Sequence, residues 1–156
     1  MIINANVITL FAEGIRQEVT GQHTLVGIFD DIVEFSNFPA ILPQVTLFTT
    51  ISTLVNNPFA PDSFKVLLAS GETLVAHNLP SELKTQQTDA IQARTDDDHS
   101  PWINLRLVIN ITNIQVTENA KIFVEFEDSN GKRATSNRLT FKSKHQPDVV
   151  APSRGK

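Results

Sequence analysis

A strict two-residue alternation of apolar side chains over residues 102–112 constrains the fold of this chain more than any other feature. The odd positions are all aliphatic: Ile103, Leu105, Leu107, Ile109 and Ile111. The even positions are mostly polar: Trp102, Asn104, Arg106, Val108, Asn110 and Thr112. Successive side chains of a strand point to opposite faces, whereas neighbours on a helix differ by only about 100°. The segment therefore predicts a β-strand with one face in a core and the other mostly in water.

The alternation changes phase after residue 112, because the next apolar residues, Ile114 and Val116, occupy even positions. A bulge or bend moves the side chains that follow it to the opposite face of a sheet. We therefore expect a bulge or bend near Thr112 and Asn113.

Other segments have the length, apolar spacing and flanking turn residues of strands. They cover residues 7–12, 24–35, 44–54, 64–69, 73–79, 120–128 and 134–141. Gly14 and Gly21 bracket a polar connection between the first two, and Gly71 and Gly131 lie in hairpin turns. The inward side chains of the last two strands are Ile122, Val124, Phe126, Leu139 and Phe141. Seven to nine short strands predict an all-β antiparallel β-sandwich, immunoglobulin-like or C2-like, over residues 1–144, with a flexible tail over residues 145–156.

Residues 24–48 are the most distinctive part of the sequence. Apolar residues occupy both phases of residues 24–35, which predicts one long strand covered on both faces. Phe38-Pro39 and Leu42-Pro43 exclude a helix across the following join, because each proline lacks an N–H group and favours an extended preceding residue. We expect the chain to change direction here. One way to do so is to cross from one sheet to another.

Residues 21–29, GQHTLVGIF, followed by residues 38–43, FPAILP, resemble a family of small uncharacterised bacterial and phage proteins, a domain of unknown function. The shared pattern is a G-x-x-x-x-x-G-x-F strand and then F-P-A-x-x-P, with Gln22 where the family has lysine. The resemblance covers the first third of the chain well and the later strands only by their general pattern. It implies a β-sandwich and brings no activity with it.

The chain has 156 residues, no cysteine and a net charge of −4. This length suits one domain that buries roughly 70% of the surface of its unfolded chain. Without cysteine there is no disulfide framework and no thiolate nucleophile. The first fifteen residues lack the basic start and the uninterrupted apolar run of a signal peptide or membrane span. We therefore expect a cytoplasmic protein that has no contact with a membrane.

The sequence predicts no catalytic, cofactor-binding or metal-binding residue. A serine nucleophile needs an adjacent histidine, but the histidines fall in a turn, a strand end, a polar loop and the tail: His23, His77, His99 and His145. Asp30 and Asp31 would face opposite ways on a strand and could not converge on one substrate. Phosphate-binding glycine loops and the common hydrolase motifs do not occur. We therefore expect neither an enzyme nor a cofactor.

Residues 81–101 form a long polar stretch with only Leu83 and Ile91 to anchor it, and a short helix near residues 89–94 is one possibility. A loop of this length is usually mobile or functional. Asp96, Asp97 and Asp98, beside His99, offer oxygen ligands for a cation such as calcium. Consecutive aspartates are poorly spaced for one ion, so we favour a solvated acidic loop.

Charge is unevenly distributed along the chain. Residues 131–156 contain seven of the thirteen Lys and Arg residues but only one of the seventeen acids. A basic segment could bind an acidic partner or nucleic acid, but the net negative charge and the absence of tyrosine argue against nucleic acid. We favour the alternative that charges on a last, edge strand discourage aggregation between sheet edges.

Together these features favour a non-enzymatic binding or assembly module of a bacterium or phage, whose partner is another protein or a second copy of the chain. The alternative is a small metal- or ligand-binding domain that uses the polar loop of residues 81–101. A hydrolase is a more remote third alternative.

Overall fold

The computed structural model describes residues 5–94 and 100–144. These residues form one helix and ten strands, whereas the sequence predicted seven to nine strands. The strands are β1 (Ala5–Gln17), β2 (His23–Ile28), β3 (Ile32–Phe35), β4 (Ala40–Leu54), β5 (Ser63–Leu68), β6 (Thr73–Asn78), β7 (Trp102–Val116), β8 (Lys121–Glu127), β9 (Arg133–Thr135) and β10 (Leu139–Ser143). The helix, α1, spans Ser81–Gln92. At twelve residues it is too short to cross a membrane.

The strands form two sheets, which confirms the all-β sandwich. The four-stranded sheet has the order β2-β1-β4-β7. The six-stranded sheet has the order β3-β10-β8-β5-β6, and β9 also pairs with β8. Seven of the strand pairs are antiparallel, while β3 and β10 run parallel.

The core lies between the two sheets. Its centre is formed by β4 and β8, whose inward side chains are at most 1% exposed: Val45, Leu47, Ile51, Ile122, Val124 and Phe126. Leu139 and Phe141 of β10 are fully buried beside them, as predicted. Each such side chain stabilises the fold by about 1.5–3 kcal/mol relative to an exposed one. In β7, Ile109 and Ile111 are buried, which confirms the predicted inward phase of that strand.

The prediction of one long strand over residues 24–35 is wrong. The segment forms β2 in the four-stranded sheet and β3 in the six-stranded sheet, and residues 29–31 cross between them. Its odd apolar residues Phe29, Val33 and Phe35 pack against the core. Its even ones, Val26, Ile28 and Ile32, are exposed, so the second phase is not covered by another layer. After β3 the chain returns to the four-stranded sheet, so the change of direction around the prolines is a crossing between sheets.

The predicted polar connection between Gly14 and Gly21 is also wrong, because β1 continues to Gln17 and pairs with β2 up to His23. Polar contacts hold this end of the hairpin where apolar residues are scarce. The Glu18 carboxylate accepts hydrogen bonds from Arg16 Nε at 3.0 Å and from Thr24 Oγ1 at 2.7 Å.

The predicted bend near Thr112 and Asn113 is confirmed. Asn113 adopts a left-handed backbone conformation with φ +54°, and the buried positions of β7 change from odd to even beyond it. The partner strand β4 changes phase at the same place, since Leu42 and Val45 are buried on either side of Pro43. The pairing register is unbroken, so both strands bend together without an inserted residue.

The segment predicted as one strand over residues 134–141 is split into β9 and β10 by residues 136–138. Ser136 Oγ accepts a hydrogen bond from the backbone N–H of Val124 at 3.0 Å, which interrupts the strand ladder. β10 lies between β3 and β8, so the interpretation of the last strand as an edge strand is wrong. The charged side chains of β10 therefore do not protect a sheet edge.

The stretch predicted as a long polar loop contains α1, which begins at Ser81, well before the short helix near residues 89–94 that the sequence suggested. Leu83, Gln87 and Ile91 recur every four residues and form its half-buried side. The helix connects β6 to β7, the edge strands of the two sheets. Asp96, Asp97, Asp98 and His99 and the predicted tail of residues 145–156 lie outside the described residues.

Candidate functional site

The described residues singled out in the sequence do not come together into one site. Asp30 and Asp31 lie in the exposed crossing between β2 and β3. His23 and His77 are exposed and contact phenylalanine rings, with centroid distances of 6.1 Å to Phe48 and 5.9 Å to Phe64. Within residues 5–94 and 100–144, no group of three histidine or acidic side chains is arranged to hold a metal ion.

The outer face of the six-stranded sheet is rich in charge. Opposite charges alternate across neighbouring strands: Lys65 pairs in register with Glu125, and Glu127 with Arg133. Arg133 Nε lies 2.9 Å from a carboxylate oxygen of Glu127. Charged side chains of both signs on one exposed face are typical of a surface that stays in contact with water.

The outer face of the four-stranded sheet is different. Twelve side chains on β1, β4 and β7 form four cross-strand rows: Asn6–Ser52–Asn104, Ile8–Thr50–Arg106, Leu10–Phe48–Val108 and Ala12–Thr46–Asn110. Only Arg106 among them is charged. We call these twelve residues the neutral face.

An apolar row crosses the middle of the neutral face. Leu10, Phe48 and Val108 stand directly opposite one another on three adjacent strands. Leu10 is 43% exposed, Val108 is 37% exposed, and the adjacent Ile8 is 51% exposed. These side chains face away from the core, so folding alone does not require them to be apolar.

The polar rows on either side of the apolar row are ordered by hydrogen bonds between neighbouring strands. Ser52 Oγ donates to Asn104 Oδ1 at 2.7 Å, and Thr46 Oγ1 donates to Asn110 Oδ1 at 2.6 Å. These hydrogen bonds fix the exposed side chains of Asn104 and Asn110, which lowers the entropy cost of any binding at them.

The β1–β2 hairpin curls over one end of the neutral face. Phe48 pairs with Leu10 of β1 and His23 pairs with Gln17, which is seven residues further along the same strand. In a flat sheet the two side chains would therefore be separated by about 23 Å along the strand direction. The observed ring contact requires the hairpin to bend back, and Ala12 and Thr46 are fully buried in that region. Gly27, with φ +63°, lies at the bend, where a Cβ atom would come within 2.6 Å of the Glu13 carboxylate.

The alternative ligand-binding region, residues 81–101, contributes to a small groove between α1 and β7. It is lined by Leu83, Gln86, Gln87, Ala90, Ile103, Asn104 and Leu105 and has a volume of about 230 Å³. Pockets for drug-sized ligands are usually about 300–1,000 Å³. The groove is therefore a weaker candidate than the neutral face.

Sequence reasoning found the β7 part of the neutral face without recognising the whole surface. The even positions of residues 102–112 were predicted to lie mostly in water. Their alignment with Phe48 and Thr50 of β4, and with Ile8 and Leu10 of β1, depends on strand order. No signal within one strand gives that order.

Comparison with known proteins places most of the chain in one family model. The model, described as a family of unknown function (DUF6941), matches residues 7–142. No curated protein and no solved structure matches the chain.

Proposed function

The chain belongs to this family of unknown function, and we propose from its surface that it is a non-enzymatic binding or assembly module. The proposed partner is a protein, the proposed setting is the cytoplasm of a bacterium or a phage-infected cell, and the proposed binding surface is the neutral face.

The composition of the neutral face is the observation that carries this proposal. The cores of protein–protein interfaces are depleted in Lys, Glu and Asp, while aromatic residues and Arg are retained. The neutral face has one Arg, one Phe and no other charged or aromatic side chain among its twelve residues. A contiguous exposed apolar row with a polar rim is also typical of an interaction site.

Contacts of the histidines support the non-enzymatic part of the proposal. General bases in hydrolytic sites accept a proton from a hydroxyl group and are oriented by a third polar residue. His23 and His77 instead lie beside the rings of Phe48 and Phe64.

Affinity capture with a matched pair of variants tests the proposed binding surface. Ile8→Glu places a charge on the neutral face, while Ile32→Glu places one on the outer face of the six-stranded sheet, where the isoleucine is 46% exposed. Immobilised full-length chains are incubated with lysate of the source cell, and retained proteins are quantified by mass spectrometry. We expect at least one protein to be retained by the wild type and by Ile32→Glu and lost from Ile8→Glu.

Both variants should melt within a few degrees of the wild type, because exposed substitutions usually change the unfolding free energy by less than about 0.5 kcal/mol. Retention of the same proteins by Ile8→Glu would contradict the proposed surface. Loss of those proteins from Ile32→Glu alone would move the binding surface to the opposite sheet.

A further inference from the structure

The long edge of the four-stranded sheet lacks most of the features that usually protect an edge strand, although α1 lies beside its first residues, Ile103, Asn104 and Leu105. β7 has fifteen residues, while the other terminal strands of the two sheets, β2, β3 and β6, have six, four and six. Monomeric proteins commonly guard sheet edges with short strands, lysine, proline or bulges. β7 contains neither lysine nor proline, its register has no bulge, and Arg106 is its only charged residue.

The hydrogen bonds of β1 show which backbone groups of β7 point outward. Asn137 binds both the N–H and the C=O of Thr9, at 2.7 and 2.9 Å, so these groups point away from β4. In an antiparallel sheet the direction of these groups alternates along each strand. The even residues of β4 therefore bond to β1, its odd residues bond to β7, and the even residues of β7 direct their N–H and C=O groups to the free edge.

Two features limit the exposed part of this edge. At one end, Arg94 donates a hydrogen bond to the backbone oxygen of Trp102, an even residue, as the alternation requires. At the other end, Asn113 has the left-handed conformation that bends the strand. Between these limits lie five residues with outward backbone groups: Asn104, Arg106, Val108, Asn110 and Thr112. Val108 is at their centre.

We propose that a second copy of this chain pairs antiparallel with β7 about a two-fold axis at Val108. The two four-stranded sheets then form one eight-stranded sheet joined by about ten backbone hydrogen bonds. The inference rests on the proposed binding role and names the partner that occupies the β7 edge.

The register follows from charge and from continuity of the neutral face. Pairing centred on Arg106 would place two guanidinium groups directly opposite each other, which is destabilising. Pairing centred on Val108 places Arg106 opposite Asn110 of the second copy and Asn104 opposite Thr112. The apolar row Leu10–Phe48–Val108 then continues through Val108, Phe48 and Leu10 of the second copy.

A second copy fits this edge better than an unrelated strand because the segment is complementary to itself. On the inward side, Leu107 would lie opposite Ile109, and Leu105 opposite Ile111. Leu105 and Leu107 are only half-buried within one chain, so pairing would cover apolar surface that the six-stranded sheet leaves accessible. A two-fold contact of this kind closes after two copies and does not extend into a filament.

Light scattering and sedimentation of the full chain over a hundredfold range of concentration test the dimer. We expect the mass to approach that of two chains as concentration rises. Val108→Pro removes the N–H group at the two-fold axis without removing a hydrogen bond within the chain. Proline is tolerated at such a position of an edge strand, where the N–H group faces solvent. Val108→Lys places like charges across the dyad. Both variants should fold and remain monomeric, and Val108→Thr should still dimerise.

Disulfide trapping tests the register, because the chain has no natural cysteine. In the proposed register the two Val108 Cα atoms are about 5.5 Å apart, a distance that a disulfide can span. The Val108→Cys chain should therefore form a covalent dimer on mild oxidation. Asn110→Cys, on the same face two residues away, should not.

A wild-type chain that stays monomeric at every concentration, or a dimer that survives in both Val108→Pro and Val108→Lys, overturns the inference. Efficient trapping through Asn110→Cys overturns the register. The proposed binding role is tested separately, by capture of a different protein on the Ile8 side of the neutral face.

Discussion

Asn137 is the residue that joins the two sheets most directly. It lies between β9 and β10 of the six-stranded sheet and binds both backbone groups of Thr9 in β1 of the four-stranded sheet. The hydroxyl of Thr9 in turn lies 2.8 Å from that of Thr49 in β4. A side-chain amide can replace a strand partner here because it offers one donor and one acceptor in the same plane.

Replacing Asn137 with alanine should lower the free energy of unfolding by about 1–3 kcal/mol, because both backbone groups of Thr9 lose their partner. Asn137→Asp keeps the acceptor for the Thr9 N–H but places a carboxylate oxygen against the Thr9 carbonyl oxygen, so its loss should be at least as large. Urea denaturation measures both values. A change below about 0.5 kcal/mol in Asn137→Ala would show that water replaces the amide without cost.

At the scale of elements, α1 is the feature that sequence reasoning described least well. Its polar composition concealed the spacing of Leu83, Gln87 and Ile91, and its first residues have no side-chain cap. Contacts distant in the sequence hold it: Gln87 Nε2 donates to the backbone oxygen of Phe59 at 3.1 Å, and Lys84 forms an ion pair with Asp62. Such contacts cannot be predicted from the local sequence, since they depend on where β4 ends.

The ion pair predicts how acid should affect α1. The Lys84 ammonium, through its hydrogen bond, lowers the pKa of the Asp62 carboxyl below its ordinary value of 3.8. A lowered pKa in the folded state stabilises the fold fully above pH 3.8, and this contribution is lost as the pH falls through the folded pKa. The wild type should therefore lose more thermal stability than Asp62→Asn as the pH falls from about 5 to about 2.

Fluorescence of Trp102, the single tryptophan, can follow this transition because Arg94, just after α1, binds the backbone oxygen of Trp102. Lys84→Gln provides the matched control and should behave like Asp62→Asn. Identical acid profiles for the wild type and both variants would show that the ion pair does not stabilise the helix. High salt should weaken the effect, since both side chains are partly exposed.

At the scale of the whole molecule, the sequence predicts single strands such as β7 and β8 well and the sheet arrangement poorly. β7 and β8 have strict alternation because one side of each is buried in the core. Residues 24–35 were misinterpreted because apolar residues in both phases fit one doubly covered strand as well as two strands in different sheets. The parallel pairing of β3 with β10 joins segments more than a hundred residues apart, and no local pattern indicates it.

The same scale shows why the neutral face matters. Among the described residues, the outer face of the six-stranded sheet has charges of both signs, whereas Arg106 is the only charged residue of the neutral face. Folding does not require this difference, since outward residues of a strand tolerate charge. The binding role that we propose for the neutral face would explain the difference, because buried unpaired charges at an interface are costly.

An aspartate scan over residues 103–111 with two measurements tests this account most directly. For each variant, thermal melting reports folding, and light scattering together with affinity capture reports association. Variants at the buried odd positions, Ile109 and Ile111, should fail to fold, because an unpaired charge enters the core. Those at the half-buried Leu105 and Leu107 should lose less stability. Even positions such as Arg106 and Val108 should melt within a few degrees of the wild type and lose association. Melting sensitivity every three or four residues, or even-position variants that associate like the wild type, would contradict the account.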